Sequence, residues 1–288
     1  MSAKGYDRPG GAGPARTRDR RTPGFLRGKP FRYVQREVLY RLHRWPHRNL
    51  LVIAQPKSGS TWLWRMLLET PAYFRWSIRS VQRHTMKSPG FHDLDESEMR
   101  SPPAGYSVSK THTSASAHNL AILEGLGRPF VVLQRDPRDL AVSWAHFVAA
   151  RPENAFHVDV EGMGVRDRVG FYIDNLLDRT LEWALAWRAY GGTLALHTSY
   201  EALKSDTRGE MRRIVTHLGL ELSDTRLERM IGAHTFDKTK ARAGGDTFFR
   251  KGESGGWREH FDEDLLARFG GVAGDRLTRL GYGDACAQ

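Results

Sequence analysis

Asn49-Leu-Leu-Val-Ile-Ala54 runs directly into Gln55-Pro-Lys-Ser-Gly-Ser-Thr-Trp62, and the fold is decided by how this stretch is read. Leu50 to Ala54 form a continuous apolar run closed off by the polar Asn49 and Gln55, the pattern of a strand buried on both faces. Gln55 to Ser60 then supplies a turn, and Thr61 to Glu69 places Trp62, Leu63, Met66 and Leu67 at helical spacing. A strand, a loop and a helix follow in order. Such a turn aims backbone N–H groups and the positive end of a helix at one spot, which suits a phosphate. Lys57 adds a point charge there, and Ser58, Ser60 and Thr61 add hydroxyl donors. The nucleotide-triphosphate pattern Gly-x-x-x-x-Gly-Lys-Ser/Thr cannot be laid over the loop, because the lysine precedes the glycine. The competing reading is an ordinary helix cap beside a surface lysine.

Working outward, the same unit recurs. Phe130-Val-Val-Leu133 reads as a second buried strand. Asp136-Pro137 opens a helix with a capping aspartate and a proline at its first position, continuing through Leu140, Val142, Trp144 and Phe147. Tyr106 to Lys110 and Thr193 to His197 read as a third and a fourth strand, and Asp167 to Tyr190 as one long amphipathic helix. Strands alternating with helices predict a single α/β domain with a central parallel sheet flanked by helices. Tyr33 to His43 mixes apolar and basic residues at helical spacing before the break at Trp45-Pro46, so the organised domain begins in this region and is placed at 29–288.

Two further segments suit anions. In Leu133-Gln-Arg-Asp-Pro-Arg-Asp-Leu-Ala-Val-Ser-Trp144, Arg135 leaves the carboxyl end of a buried strand, where ligands sit in open α/β sheets. Ser143 lies eight residues further on, so an inward-facing turn of helix is needed for the two to share a ligand. A solvated charge cluster capping a helix explains the same residues. Phe248-Phe-Arg-Lys-Gly-Glu-Ser-Gly-Gly-Trp257 sets Arg250 and Lys251 beside Gly252 in a Gly-rich stretch, which suits an anion clamp or a plain surface loop.

In this order the three segments resemble the cytosolic-type sulfotransferases, over about residues 45 to 261. That family uses 3′-phosphoadenosine 5′-phosphosulfate (PAPS) as donor. The resemblance implies that Lys57, Ser58, Gly59, Ser60, Thr61 and Trp62 hold the 5′-phosphosulfate in a P-loop-like turn. It implies that Arg135 and Ser143 hold the 3′-phosphate, with Arg250, Lys251 and Gly252 closing over it. Tyr200 and the Thr235-Phe236 pair correspond to the family's adenine-side residues, with Trp62 and Phe236 sandwiching the base. Ser109-Lys-Thr-His112 resembles the family's Lys-Thr-His, which makes His112 the general base and gives Lys57 and Lys110 the charge on the transferring group and leaving oxygen. An imidazole titrating near neutrality suits that role; His118 and His146 are the competing histidines, and His146 is read as packing. The implied acceptor is a hydroxyl or amine of a small molecule, lipid or glycan, with no metal required. Gly255-Gly256-Trp257 stands where the family reads Gly-Asp-Trp, which predicts a less tightly fixed loop. The family's dimerisation motif is not recognisable in Arg258 to Phe269, which leaves the oligomeric state open.

Composition narrows the classes further. The 288 residues are 40% hydrophobic and 10% aromatic, enough to bury the core of one good-sized domain and too much for a disordered chain. No apolar run approaches the roughly 20 residues of a membrane span. A single cysteine, Cys286, excludes an internal disulfide and a cysteine-based zinc site, and fits a cytoplasmic setting. The net charge is +11, but residues 1–28 hold seven basic and two acidic residues among six glycines and three prolines, so nearly half the excess sits in a segment read as a disordered tail. A nucleic-acid binder would spread its charge over one face with interleaved aromatics. A P-loop kinase would need the glycine-lysine-serine order and a magnesium-binding aspartate, and neither pattern is found.

Overall fold

A computed structural model describes residues 34, 38–81, 91–235 and 254–283. Five strands, β1 (Asn49–Ala54), β2 (Tyr73–Arg75), β3 (Tyr106–Thr111), β4 (Phe130–Gln134) and β5 (Ala195–Ser199), form one sheet in the order β2-β3-β1-β4-β5. Every neighbouring pair is parallel, as the alternation of strands and helices predicts. Val52 lies beside Lys110 on one side of the central strand, and Ala54 beside Leu133 on the other.

The longer helices among the described residues are α1 (Ser60–Leu67), α2 (Ala117–Leu126), α3 (Pro137–Ala149), α4 (Val165–Asn175), α5 (Leu177–Ala189), α6 (Tyr200–Ser205), α7 (Thr207–His217), α8 (Asp224–Ala233) and α9 (Glu263–Ala273). Successive strand residues point to opposite faces, and the core divides accordingly. Leu51, Ile53, Phe130 and Val132 pack against α3, α4, α5 and α9, while Leu50, Val52, Val131 and Leu133 pack against α1, α7 and α8. Both faces are covered, which is why Leu50 to Ala54 of β1 and Phe130 to Leu133 of β4 are continuous apolar runs rather than alternating.

Two elements depart from the expected ones. Strand β2 is only three residues long, Tyr-Phe-Arg, too short to show a period. The helix expected over 167–190 is two helices that meet at Leu176, whose backbone leaves the helical region at φ −128°. Thr180 stabilises the break by donating its hydroxyl to the Leu176 carbonyl while also meeting the Tyr172 hydroxyl.

The topology places the site. The chain leaves β1 through α1 towards β2 and β3, and leaves β4 through α3 towards β5 on the other side. Crossovers in opposite directions open a crevice at the carboxyl ends of β1 and β4, where open α/β sheets take ligands.

Candidate functional site

The loop after β1 is held from beneath by Gln55, a residue that sequence reading treated only as part of the turn. Its backbone N–H donates to Leu133 O at 3.2 Å, its side-chain Nε2 donates to Thr180 O at 3.2 Å, and its Oε1 accepts the Arg135 N–H at 3.1 Å. One buried amide thus locks β1, β4 and α5 together below the loop. Ser58 is also fully buried, and its hydroxyl donates to Gln55 O at 2.7 Å, closing the turn from inside. Lys57 takes a left-handed backbone with φ 71°, and Gly59 follows with φ 84° as the residue preceding α1. A Cβ on Gly59 would lie 2.6 Å from Cδ2 of Tyr200, so close approach and dihedral both require glycine here.

Around this turn the structure gathers most of the residues singled out above. The Lys57 ammonium lies 4.1 Å from the centroid of Phe147. Arg135 donates from Nη1 to the Lys57 carbonyl at 3.3 Å, and its guanidinium lies 4.3 Å over the Tyr200 ring. Tyr200, at the start of α6, therefore backs the loop through Gly59 on one side and Arg135 on the other. Trp62, in the first turn of α1, donates its indole N–H to His234 O at 2.8 Å and meets Tyr200 edge-on at 6.1 Å. That bond puts the exposed Thr235, the next residue, beside the tryptophan. Phe236, Arg250, Lys251 and Gly252 lie outside the described residues.

Ser143 occupies the inward face of α3. Asp139, Ser143 and Phe147 are spaced i, i+4, i+8 and so share one side of the helix. Asp139 lies 3.8 Å from Arg135, and Phe147 lies under Lys57. Asp139 is the second residue whose role the sequence did not disclose. The alternative of a solvated charge cluster would leave it exposed, but it is buried, and it accepts the Gly255 N–H at 2.8 Å and the Trp257 N–H at 3.0 Å. Burial raises its carboxyl pKa, while Arg135 and these two N–H groups oppose the rise. The turn expected to be loosely fixed for want of an aspartate at Gly256 is pinned by an aspartate from another element.

His112 follows the last residue of β3, half-buried. Its Nδ1 lies 2.6 Å from Ala54 O. A carbonyl can only accept, so Nδ1 carries the proton and Nε2 keeps a lone pair. Burial first, and then the Lys110 charge, push the imidazole down to about 4, with Lys57 acting in the same direction. This corrects the expectation of a group titrating near neutrality. Lys110 donates to Thr61 Oγ1 at 2.7 Å, and burial, Arg75 and Arg65 bring its ammonium down to about 8. The competing histidines are engaged elsewhere: His118 donates from Nε2 to Leu94 O at 3.1 Å, and the His146 ring packs 5.6 Å from that of His260. Among the described residues no group of three or more His, Cys, Asp or Glu is placed to hold a metal ion.

A turn leading into a helix N-terminus, two lysines near a neutral imidazole and an arginine at the next strand end can hold a multiply charged anion against a proton acceptor. Comparison with known proteins agrees with that chemistry. Residues 47–281 match the sulfotransferase domain model. The chain is 25% identical over 235 residues to human sulfotransferase 6B1, covering 75% of this chain and 72% of that protein. It is 26% identical over 248 residues to Arabidopsis thaliana cytosolic sulfotransferase 12, covering 75% and 73%. In fold it resembles mouse sulfotransferase SULT7A1 complexed with PAP, with a TM-score of 0.65 and 18% identity over 87% of this chain and 91% of that one. It also resembles retinol dehydratase in complex with androsterone and inactive cofactor PAP, with a TM-score of 0.58 and 20% identity over 85% of each chain. The family model spans the entire sheet together with the loops at its carboxyl edge, and the chain belongs to the sulfotransferase domain family.

Proposed function

We propose that the protein transfers a sulfuryl group from PAPS to a hydroxyl or amine of a small-molecule, lipid or glycan acceptor, leaving adenosine 3′,5′-bisphosphate, with His112 as general base. The observation that carries the reading is the His112 tautomer: Nδ1 is committed to Ala54 O, which leaves Nε2 as the acceptor for a proton. As the acceptor oxygen or nitrogen bonds to sulfur, its proton passes to Nε2 and the bond from sulfur to the bridging phosphate oxygen breaks. Lys57 and Lys110 neutralise the charge that develops on that oxygen, and the N–H groups of the loop preceding α1 hold the phosphosulfate. Arg135 and Ser143, with Arg250, Lys251 and Gly252, take the 3′-phosphate, and Trp62, Tyr200, Thr235 and Phe236 take the adenine side. The sulfuryl group carries less charge than a phosphoryl group, so the two lysines suffice without a metal. PAP and androsterone in the retinol dehydratase complex support a nucleotide donor and a small hydroxylated acceptor. The Arabidopsis relative, named cytosolic, supports a cytoplasmic setting.

Titrating adenosine 3′,5′-bisphosphate into variants tests the assignment. Lys57→Ala and Arg135→Ala each lose charge-assisted contacts worth about 1.5 to 3 kcal/mol. His112→Ala keeps its affinity for the bisphosphate but turns over about 10²- to 10⁴-fold more slowly. Wild-type affinity in both cation variants would show the donor site to be misplaced, and full turnover in His112→Ala would remove the base.

A further inference from the structure

Positive charge is distributed very unevenly along the chain. Residues 1–48 carry thirteen basic and three acidic residues, so they hold +10 of the net +11. Everything from β1 onward is close to neutral. The described part of this segment is helical at Val34 and over 38–42, and ends against the amino-terminal edge of the sheet. There Tyr40 packs 4.9 Å from Tyr106, the first residue of β3, and the Tyr106 hydroxyl donates to His43 O at 2.6 Å.

Large apolar side chains of this segment face outward. Val38 and Leu42, at i and i+4, share one side of the described turn, Val34 precedes Val38 by the same spacing in sequence, and the three are 50%, 71% and 56% exposed. They are three of the five large apolar side chains left exposed among the described residues. Around them the amino edge of the sheet is basic. Arg44 and Arg48 are exposed, the Arg48 guanidinium lies 4.6 Å over the Tyr40 ring, and Arg128 stands just before β4. Burial and then Arg48 lower the Arg128 pKa, and burial, Arg128 and His217 lower that of His47. These cations crowd one another, and among the described residues no carboxylate opposes either shift.

We infer that this amino-terminal edge is a docking surface for an anionic phospholipid membrane, with Val34, Val38 and Leu42 entering the headgroup boundary and the surrounding arginines meeting acidic headgroups. A basic helix with an aliphatic stripe is the pattern of an interfacial helix, and each cation near such a surface adds to the attraction. Nucleic acid would use the arginines but gain nothing from three exposed aliphatic side chains. The geometry carries a consequence for the reaction. Strand β1 separates this edge from the candidate active site by roughly 17 Å, its six residues rising about 3.3 Å each. A docked molecule therefore holds its catalytic crevice away from the lipid, towards acceptors in the water phase.

Vesicle flotation of the full chain tests this, using phosphatidylcholine alone and phosphatidylcholine with about one third phosphatidylserine. The wild type floats with the mixed vesicles and not with the neutral ones, and added salt weakens the association. The double variant Val38→Gln, Leu42→Gln changes no charge, and binds the mixed vesicles about tenfold more weakly or less. Arg44→Glu weakens binding about fivefold or more. Melting temperature and affinity for the bisphosphate stay at wild-type values in both variants, and vesicles do not compete with the bisphosphate. Undiminished flotation of the glutamine variant, as expected of a purely electrostatic nucleic-acid surface, overturns the inference. Equal flotation with neutral vesicles overturns it too, as does a glutamine-sensitive dimer in sedimentation without vesicle binding.

Discussion

His112 and Lys110 sit two residues apart at the end of β3, and both lose their protons more easily than usual, for one reason. Each is desolvated among cations, so the charged form is penalised in both. Sequence reading could name the two residues, because Lys-Thr-His at a strand end is a local pattern. It could not supply the titration, because Arg65, Arg75 and Lys57 reach these groups only through the fold. The consequence for activity has a definite sign. His112 acts when neutral, so the base is lost only as pH falls through about 4. Lys110 acts when charged, so its contribution is lost as pH rises through about 8. The profile of kcat/KM, which reports the free enzyme, is therefore expected to be flat across neutrality, with an alkaline limb near 8. Lys110→Arg removes that limb, since a guanidinium stays charged throughout. In kcat the same limb moves to higher pH, because bound donor is anionic and favours the ammonium. An acidic limb close to 6.5 that vanishes in His112→Ala would show that the imidazole is not desolvated in this way.

At the scale of elements, legibility in the sequence followed burial. Strands β1 and β4 are covered on both faces, so each carries an unbroken apolar run, Leu50 to Ala54 and Phe130 to Leu133, and declares itself. Strand β2 has three residues at the sheet edge, and the joint between α4 and α5 rests on hydroxyl contacts of Thr180, neither of which leaves a periodic trace. The same contrast separates Arg135 from Asp139. Arg135 was legible because it stands at a strand end, whereas the partners of Asp139 lie 116 and 118 residues further along the chain. Asp139 ties the start of α3 to the turn that follows Arg250-Lys251-Gly252, and so couples the two segments proposed to hold the 3′-phosphate. Asp139→Ala leaves two backbone N–H groups without their acceptor, at about 1 to 3 kcal/mol. Both the melting temperature and the bisphosphate affinity are expected to fall. Asp139→Asn keeps one carbonyl acceptor and falls between the two. A variant that melts lower yet binds bisphosphate as tightly as wild type would confine Asp139 to stability and break the proposed coupling.

For the whole molecule, the question is where the folded unit begins. Composition puts the boundary at residue 28, since a Gly/Pro/Arg segment with few apolar residues has little to bury. The structure adds a second landmark further in. Trp45 donates its indole N–H to Pro71 O at 2.9 Å, its backbone N–H donates to the Tyr106 hydroxyl at 2.9 Å, and the Tyr40 ring packs at a tilt against the same tyrosine. These contacts tie the segment before β1 to β3 and to the turn before β2. Two truncations separate the landmarks. Removing residues 1–28 is expected to leave the melting temperature and the bisphosphate affinity nearly unchanged. Removing residues 1–47 takes away Tyr40 and Trp45. A fully buried tryptophan is worth about 3 to 5 kcal/mol against alanine, and Trp45 is only half-buried, so a loss of about 2 to 3 kcal/mol is expected. In a domain of this size that is about 5 to 10 °C of melting temperature. The bisphosphate should still bind, because the carboxyl ends of β1 and β4 lie at the opposite edge of the sheet from the deleted contacts. If the shorter deletion already lowered the melting temperature by several degrees, the first 28 residues would have to pack on the domain, and the boundary read from their composition would be wrong.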